Sequence, residues 1–266
     1  MTIKTLIENT VFEMGLIAEH GLSIFIEHNN KKILFDTGQS ENFIKNAKTL
    51  GLDISDIDAL IISHGHYDHA GGLLAFLRIN SKAKIYVKDG FFIPKYKNKE
   101  RFIGIHYDDK LFKDRIVFLK EKIELFPDLF IMTEIKIRNK WDTHFDGMFV
   151  KTENGFEEDE FLDELFVVIK KDEKINILSG CSHRGISNIV LSALSEFSLP
   201  INLILGGFHT REWDEKKVER LMSELNKYEI ETLGCSHCTG IENYVKIKTY
   251  FKNKAFYNLT GNVINL

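Results

Sequence analysis

The chain has 266 residues, of which 44% are hydrophobic and 28% charged, and it contains only three prolines. These values are typical of a globular protein and exclude a low-complexity or largely disordered chain. The net charge of −4 provides no broad cationic field, so we do not expect nucleic acid as a partner.

The first residues and the cysteine content both bear on localisation. The opening segment MTIKTLIENT is too polar for a secretory signal, and no apolar run approaches the roughly 18 residues of a membrane span. Three cysteines make a poor disulfide framework, which fits a reducing compartment. We therefore expect a cytoplasmic protein that acts on a small molecule and has no membrane partner; the sequence is silent on oligomeric state.

The first 70 residues predict a hairpin, a helix and a buried strand. In GLSIFIEHNNKKILFDTG, two apolar runs flank an Asn-Asn pair, which is typical of a β-hairpin. Residues 41–50 place Phe43, Ala47 and Leu50 on one helical face. The apolar run at 59–62 then predicts a buried strand, which stops in the histidine-rich segment SHGHYDHAGGL.

Residues 90–160 form the least regular part of the pattern and are rich in aromatic side chains. The segments RIVFLK and LFIMTEIKI within it predict strands beyond a minimal core. The aromatic side chains either pack against one another or form a lid or wall of a substrate pocket. We predict a single domain over residues 1–266, with 90–160 as a less regular insert.

From residue 165 onward, strands and helices alternate. The segments LFVVIK, INILSG, INLIL, ETLG and KAFYNL predict strands, and apolar spacings of three and four predict helices near 186–194, 218–225 and 241–251. In open α/β architectures, functional groups collect at the carboxyl ends of strands. Polar loops follow these strands, so we expect the side chains of those loops to lie near one another.

Six of the ten histidines follow predicted strands, in IISHGHYDH, LSGCSH, ILGGFHT and LGCSH. A lone histidine is more often a satisfied polar residue than a ligand, but packing does not explain this repeated placement. His64 and His66 point the same way in an extended loop, because side chains alternate with period two, and so can share one metal ion. Asp68 and His69 can reach a second position on a turning backbone.

Imidazole and carboxylate ligands suit zinc, iron or manganese. His183 and His237, each in a GCSH segment, are the candidates that complete the metal sites. His209 is either an additional ligand or substrate contact, or a supporting residue. Asp36, at the end of the strand in LFDTG, is predicted to accept the outer N–H of a ligating histidine.

Two other groups of residues have competing interpretations. Asp159, Asp163 and Glu164, in the acidic segment 157–164, either form a solvated face or line the site. The Cys-x-x-Cys of LGCSHCTG lacks the second such pair of a four-cysteine zinc site, and it lacks the thioredoxin-like setting of a redox dithiol. We therefore predict that Cys235 and Cys238 are packing residues beside the ligand His237.

Together, LFDTG, SHGHYDHAGGL and the later histidines resemble the metallo-β-lactamase superfamily over almost the whole chain. AEHGLS, FLDEL, SGCSHRGISNIV, LGGFHT and SHCTG further resemble the branch named for a methanopterin-pathway synthase. The resemblance implies an α/β fold of the four-layer αββα sandwich type, with a metal pair at one edge between two sheets.

The resemblance also implies how the two ions would be held. The first would be bound by His64, His66 and His183, and the second by Asp68, His69 and His237. Superfamily members usually place a bridging aspartate after the strand equivalent to INLIL, but GGFHT has none. His209 or a water would then have to supply the missing contact.

Three functions are consistent with this pattern. The leading prediction is hydrolysis of a phosphorus- or carbonyl-centred ester by a water activated by one or two divalent ions, zinc first and iron or manganese as alternatives. Asp68 would both hold metal and accept a proton. The alternative is a pterin transferase, in which the same ions bind a pyrophosphate leaving group. The third is a metal-dependent binding protein without turnover.

Overall fold

The computed structural model describes residues 1–112 and 114–266, which form two compact units. Unit one comprises Met1–Lys120, Phe145–Asp163 and Leu259–Leu266, and unit two comprises Glu121–His144 and Glu164–Asn258. Each unit has its own seven-stranded sheet and its own apolar core.

Regular elements run through both units. Strands β1 to β9 span Thr2–Ile7, Ser23–His28, Lys31–Phe35, Ala59–Ile61, Lys84–Lys88, Lys95–Lys97, Arg101–Phe102, Ile116–Leu119 and Ile123–Phe126. Strands β10 to β18 span Leu129–Met132, Met148–Thr152, Gly155–Glu158, Phe166–Lys171, Lys174–Leu178, Ile201–Gly207, Ile230–Ser236, Ala255–Tyr257 and Val263–Asn265. Helices α1 to α7 span Asn42–Thr49, Tyr67–Ala70, Leu73–Ile79, Asp109–Phe112, Ile186–Phe197, Glu215–Leu225 and Ile241–Phe251.

The main sheet of unit one has the strand order β18-β1-β2-β3-β4-β5-β8. The predicted hairpin is confirmed as β2 and β3, which pair antiparallel, and Asn29 and Asn30 take the positive φ angles that a tight two-residue turn requires. From β3 to β8 the strands are parallel. Strands β3 and β4 therefore end at the same edge of the sheet, where Asp36 and Ser63 follow them.

The aromatic-rich insert adds a second, four-stranded antiparallel sheet to unit one, in the order β12-β11-β6-β7. The ring of Tyr96 lies edge-on to Phe156 and Phe102, with centroids 5.1 and 5.5 Å away. Phe91 is fully buried, and its ring lies 4.7 Å from that of Phe92. These aromatic side chains pack against one another, which is the first of the two predicted roles.

The sheet of unit two has the order β17-β16-β15-β14-β13-β10-β9 and is parallel from β14 to β17. The three predicted helices are confirmed as α5, α6 and α7, and their apolar faces are buried against this sheet's core. Burying one large aliphatic or aromatic side chain contributes about 1.5–3 kcal/mol. Because β14, β15 and β16 are parallel, the loops that carry His183, His209 and His237 follow the same edge.

Within the described ranges, the helices are too short or too polar to cross a membrane.

Candidate metal centre

In unit one, the loop after β4 brings four predicted ligands together. The ring of His64 lies 4.7 Å from that of His66 and 4.4 Å from that of His69. His66 is the residue immediately before α2, and Asp68 and His69 lie in that short helix. All four side chains are buried. Three imidazoles and a carboxylate thus share one small volume.

Asp36 and Ser63 determine which ring nitrogens of this cluster carry protons. Asp36 Oδ2 lies 2.6 Å from His69 Nδ1 and 2.8 Å from Ser63 Oγ, which donates to it. Because a carboxylate only accepts, His69 must donate from Nδ1. Because the Ser63 hydroxyl donates its hydrogen to Asp36, Ser63 Oγ accepts a hydrogen bond from His64 Nδ1 at 2.9 Å. Both rings therefore present Nε2 as the basic nitrogen, the arrangement of metal-ligating histidines with a carboxylate behind them.

Burial also favours the neutral form of the His64 ring. It lowers the pKa of His64 well below its usual value, and the neighbouring rings of His69 and His66 lower it further. Neutral imidazole is the form that binds metals. The donor set therefore fits a transition metal such as zinc, iron or manganese better than magnesium or calcium, which prefer oxygen ligands.

The backbone of this loop is held by a buried ion pair. The Gly65 N–H donates to Asp163 Oδ2 at 2.8 Å, and Lys95 Nζ lies 2.9 Å from Asp163 Oδ1 and 3.3 Å from Asp159 Oδ2. Burial opposes the charge on Lys95, but the two carboxylates outweigh it and raise its pKa. A β-carbon at residue 65 would overlap the carbonyl oxygen of Phe91, which explains the glycine. Asp159 and Asp163 are therefore buried residues that hold the histidine loop in place, and they are not part of a solvated face.

His20 is a neighbour of Asp68 that the sequence pattern did not single out. Its Nε2 lies 3.2 Å from Asp68 Oδ2, and its side chain is 45% exposed. The available signal was its place in AEHGLS, one of the segments that resemble the synthase branch. His20 connects the buried carboxylate to solvent.

In unit two, Cys181, His183 and His209 form a second cluster. Each offers one ligand atom, and these atoms all lie within 4.8 Å of one another. The His183 and His209 rings are 4.4 Å apart. Cys181 and His183 are buried, and His209 is half-buried. His237 is buried and begins the 3-10 helix His237–Thr239 that follows β16.

Glu164 holds the loop of this second cluster. Its two carboxylate oxygens accept the backbone N–H groups of His183 at 2.7 Å and of Arg184 at 2.8 Å. The His144 N–H donates to the carbonyl oxygen of His183 at 2.8 Å. Glu164 is buried. Like Asp163 in unit one, it is an acceptor for a loop backbone and not a solvated acidic residue.

The two cysteines of LGCSHCTG differ in environment. Cys235 lies in the apolar core, as predicted, and burial raises the pKa of its thiol. Cys238 does not have that setting: its Sγ lies 3.4 Å from the carbonyl oxygen of Cys181. Burial would raise the pKa of Cys238, but hydrogen bonds with the Cys181 thiol and the His209 ring hold it well below its usual value. Cys238 therefore belongs to the polar cluster and not to the core.

His144 is a further residue that sequence reasoning missed. Its ring stacks on Trp213 at 4.9 Å and lies 4.6 Å from the His209 ring. Burial, then His209 and Lys217, lower its pKa well below the usual value. Within the described ranges, its buried Nε2 has no hydrogen-bond partner. No predicted strand ends directly before this histidine, so the pattern that located the others gave no signal here.

The loops that carry these side chains also contain uncommon backbone conformations. Asp36, Ser182, His209 and His237 have φ angles of 60°, 59°, 50° and 52°. Left-handed conformations at residues other than glycine cost of the order of 1–3 kcal/mol each and cluster at functional sites. The fold thus accepts backbone strain at the junctions where the polar side chains collect.

Comparison with known proteins agrees with this geometry. A family model described as the metallo-beta-lactamase superfamily matches residues 16–151. The 7,8-dihydropterin-6-methyl-4-(beta-D-ribofuranosyl)-aminobenzene-5'-phosphate synthase of Methanocaldococcus jannaschii is 30% identical over 245 residues, 85% of this chain and 82% of that protein. An uncharacterized protein of the same organism is 31% identical over 277 residues, 99% of this chain and all of that protein. The crystal structure of a metal-dependent hydrolase of the beta-lactamase superfamily matches with a TM-score of 0.87 and 30% identity, covering 100% of this chain and 99% of the other. This similarity confirms the predicted α/β sandwich class.

Proposed function

We propose that this chain, which belongs to the metallo-beta-lactamase superfamily, is a metal-dependent hydrolase of a small phosphorus- or carbonyl-centred ester. The observation that carries the proposal is the buried row of His64, His66 and His69, with two of the rings held in the tautomer that presents Nε2. Burying these polar side chains costs folding free energy. The same arrangement orients the rings as ligands for a metal ion.

We assign one or two divalent ions to this chain, zinc first and iron or manganese as alternatives. The proposed ligands are His64, His66, Asp68 and His69, with His183 and His237 added because the superfamily motifs imply them. A divalent ion held by such ligands lowers the pKa of a water and polarises a phosphoryl or carbonyl oxygen.

The chain's own residues would then accept the proton that the attacking water loses and pass it to solvent. Asp68 Oδ2 is the atom proposed to accept it when the nucleophile forms. His20 Nε2, 3.2 Å away, can take that proton from Asp68 and release it, because the His20 side chain reaches solvent. Asp36 keeps His69 oriented throughout, since their contact is fully buried.

The alternative is a transferase, and the 30% identity to the pterin-pathway synthase over 85% of the chain favours it. In that reaction the same ligands would bind a pyrophosphate leaving group, and a second organic substrate would take the place of water. The residues that hold the metals would be unchanged, so the distinction lies in the substrates.

A substrate panel separates these functions. The zinc-loaded protein is incubated with phosphodiesters, phosphomonoesters, lactones and thioesters, and separately with a dihydropterin pyrophosphate with and without a ribofuranosyl-aminobenzene phosphate. Turnover of a single ester supports hydrolysis, and turnover that requires both organic substrates supports transfer. His66→Ala should abolish either activity, whereas His106→Ala, whose ring stacks on Phe102 outside the cluster, should retain it. Full turnover by His66→Ala would overturn the metal scheme.

We also propose a cytoplasmic location and a small-molecule substrate, on the basis of the cysteine content and the absence of a broad cationic field.

A further inference from the structure

We propose that unit two binds a soft divalent cation through the Cys181 thiolate together with the imidazoles of His183 and His209. This inference deepens the proposed function and rests on it in part, because His183 is also one of the metal ligands proposed there. The inference adds a sulfur ligand and makes His209 a direct ligand. Cys238 is a positioning residue for the same site.

The spacing of the three donors fits a single ion. Their ligand atoms all lie within 4.8 Å of one another. Around tetrahedral zinc, with bonds of about 2.0 Å to nitrogen and about 2.3 Å to sulfur, neighbouring ligand atoms lie roughly 3.3–3.8 Å apart. The donors therefore need to close by about 1.5 Å at most, which rotation of side chains can supply.

The loop that carries Cys181 and His183 is already held in place. Ser182 Oγ donates to the carbonyl oxygen of Gly207 at 2.7 Å and lies 3.0 Å from Ser179 Oγ. Glu164 holds the backbone N–H of His183 from the other side. Ligands supported in this way lose little conformational freedom when an ion binds.

Cys238 braces the loop from the following strand junction. Its thiol lies 3.4 Å from the carbonyl oxygen of Cys181 and also contacts the His209 ring. A β-carbon at Gly207 would overlap Cys238 Sγ and approach the carbonyl oxygen of Gly180 to 2.8 Å. The glycine thus leaves the space in which this thiol reaches both Cys181 and His209.

The chemistry of the donors selects the ion. One thiolate and two imidazoles favour zinc, cobalt(II) or cadmium and disfavour magnesium and calcium. On binding, the metal–sulfur bond forms as the S–H bond of Cys181 breaks, and the proton passes to solvent. No oxidant or reductant is needed, and the charge of the ion is partly neutralised by the thiolate.

The test uses the full chain, stripped of metal by a chelator and kept reduced with a phosphine. Loaded with cobalt(II) alone, the unsubstituted protein should show a sulfur-to-cobalt charge-transfer band in the near ultraviolet. Cys181→Ser should lose the band. Cys235→Ala is the matched control, because Cys235 lies in the apolar core, and it should keep the band. Cys238→Ser should keep the band with about 10- to 100-fold weaker cobalt affinity.

X-ray absorption of the zinc-loaded, unsubstituted protein gives a second readout that needs no variant. It should show a sulfur neighbour at about 2.3 Å in addition to nitrogen or oxygen at about 2.0 Å. Absence of sulfur from the zinc shell, or a cobalt band that survives Cys181→Ser, would overturn the inference. So would a band that is lost in Cys238→Ser but kept in Cys181→Ser.

The same preparations separate this inference from the proposed function. A sulfur-ligated ion in a protein that turns over none of the panel substrates would leave the thiolate site intact and remove the hydrolase. Ester hydrolysis by a protein whose metal has no sulfur neighbour would do the reverse.

Discussion

The carboxylate of Asp36 accepts a hydrogen bond from the ring of His69 at 2.6 Å, and both side chains are completely buried. The two residues are 33 positions apart in the chain, and β4 and the rest of the histidine loop lie between them. In a dry environment such a hydrogen bond to an ionised acceptor is stronger than one between neutral groups. The orientation of His69 is thus part of the folded core and does not depend on solvent.

Asp36→Asn should weaken metal binding by about 10- to 100-fold, because the carboxylate accepts with both oxygens, from the Ser63 N–H at Oδ1 and from Ser63 Oγ and His69 at Oδ2, whereas the amide has one acceptor oxygen and places an NH2 group against one of these donors. Competition with a chromogenic zinc chelator measures this. Asp53→Asn, which alters only an exposed cap with Ser55, is the control. Equal zinc affinity in Asp36→Asn and the unsubstituted protein would contradict the role assigned to Asp36.

Lys95→Met should destabilise the protein by about 3–5 kcal/mol, because it leaves the buried carboxylates of Asp159 and Asp163 without a cation. Guanidinium unfolding at neutral pH measures the loss. The matched control is Lys32→Met, which removes an exposed partner of Asp56 and should change stability little. Similar midpoints for the two variants would show that the buried pair does not hold the loop.

The stability contributed at Asp142 should depend on pH. Burial raises the pKa of this carboxyl from 3.8 to about 7, although Ser187 opposes the shift with hydrogen bonds. Between these values the folded protein holds a proton that the unfolded chain has lost, so stability falls as pH rises through that window. A shift of about three pKa units corresponds to ~4 kcal/mol at most.

Asp142→Asn carries no such charge, so its stability relative to the unsubstituted protein should increase from pH 5 to pH 8. Urea unfolding of both proteins across this range measures the difference, in which the contributions of all other titrating groups cancel. A difference that is constant with pH would show that Asp142 ionises normally in the folded state.

Glu164→Ala should destabilise unit two by about 1–3 kcal/mol for each backbone N–H group that it leaves without an acceptor, those of His183 and Arg184. Glu164→Gln retains one acceptor oxygen and should lose less. Glu158→Ala, in the exposed part of the same acidic segment, should be close to neutral. Thermal unfolding ranks the three variants, and an order with Glu158→Ala lowest would refute the assignment.

Several elements were predictable because their signals are local. The Asn-Asn turn between β2 and β3, the helix α1 within residues 41–50 and the helix α7 at Ile241–Phe251 all follow from apolar periodicity and turn chemistry over a few residues. The crowding of His64, His66 and His69 follows in the same way from their spacing in one loop. In each case the interacting residues are close in the chain.

Other roles could not be read from the spacing of residues. The acidic segment 157–164 has the composition of a solvated face, yet Asp163 and Glu164 are buried acceptors of backbone N–H groups. Cys235 and Cys238 are three positions apart in one motif, yet Cys235 lies in β16 with its thiol in the core, whereas Cys238 lies in the 3-10 helix His237–Thr239 with its thiol in the polar cluster.

The sequence by itself determined the hairpin of β2 and β3, the helix α1, the strands and helices that alternate after residue 165, and the histidines that follow several of these strands. Period-two and 3.6-residue patterns and short motifs are properties of neighbouring residues, which is why these features could be predicted. Only the tertiary structure decided which distant residues hold the loops that carry the histidines and cysteines. Gly65 and Asp163 are 98 residues apart, and Cys181 and Cys238 are 57 apart. Such contacts arise when sheets and loops pack in three dimensions, and no local spacing encodes which distant carboxylate or thiol will fill the remaining space.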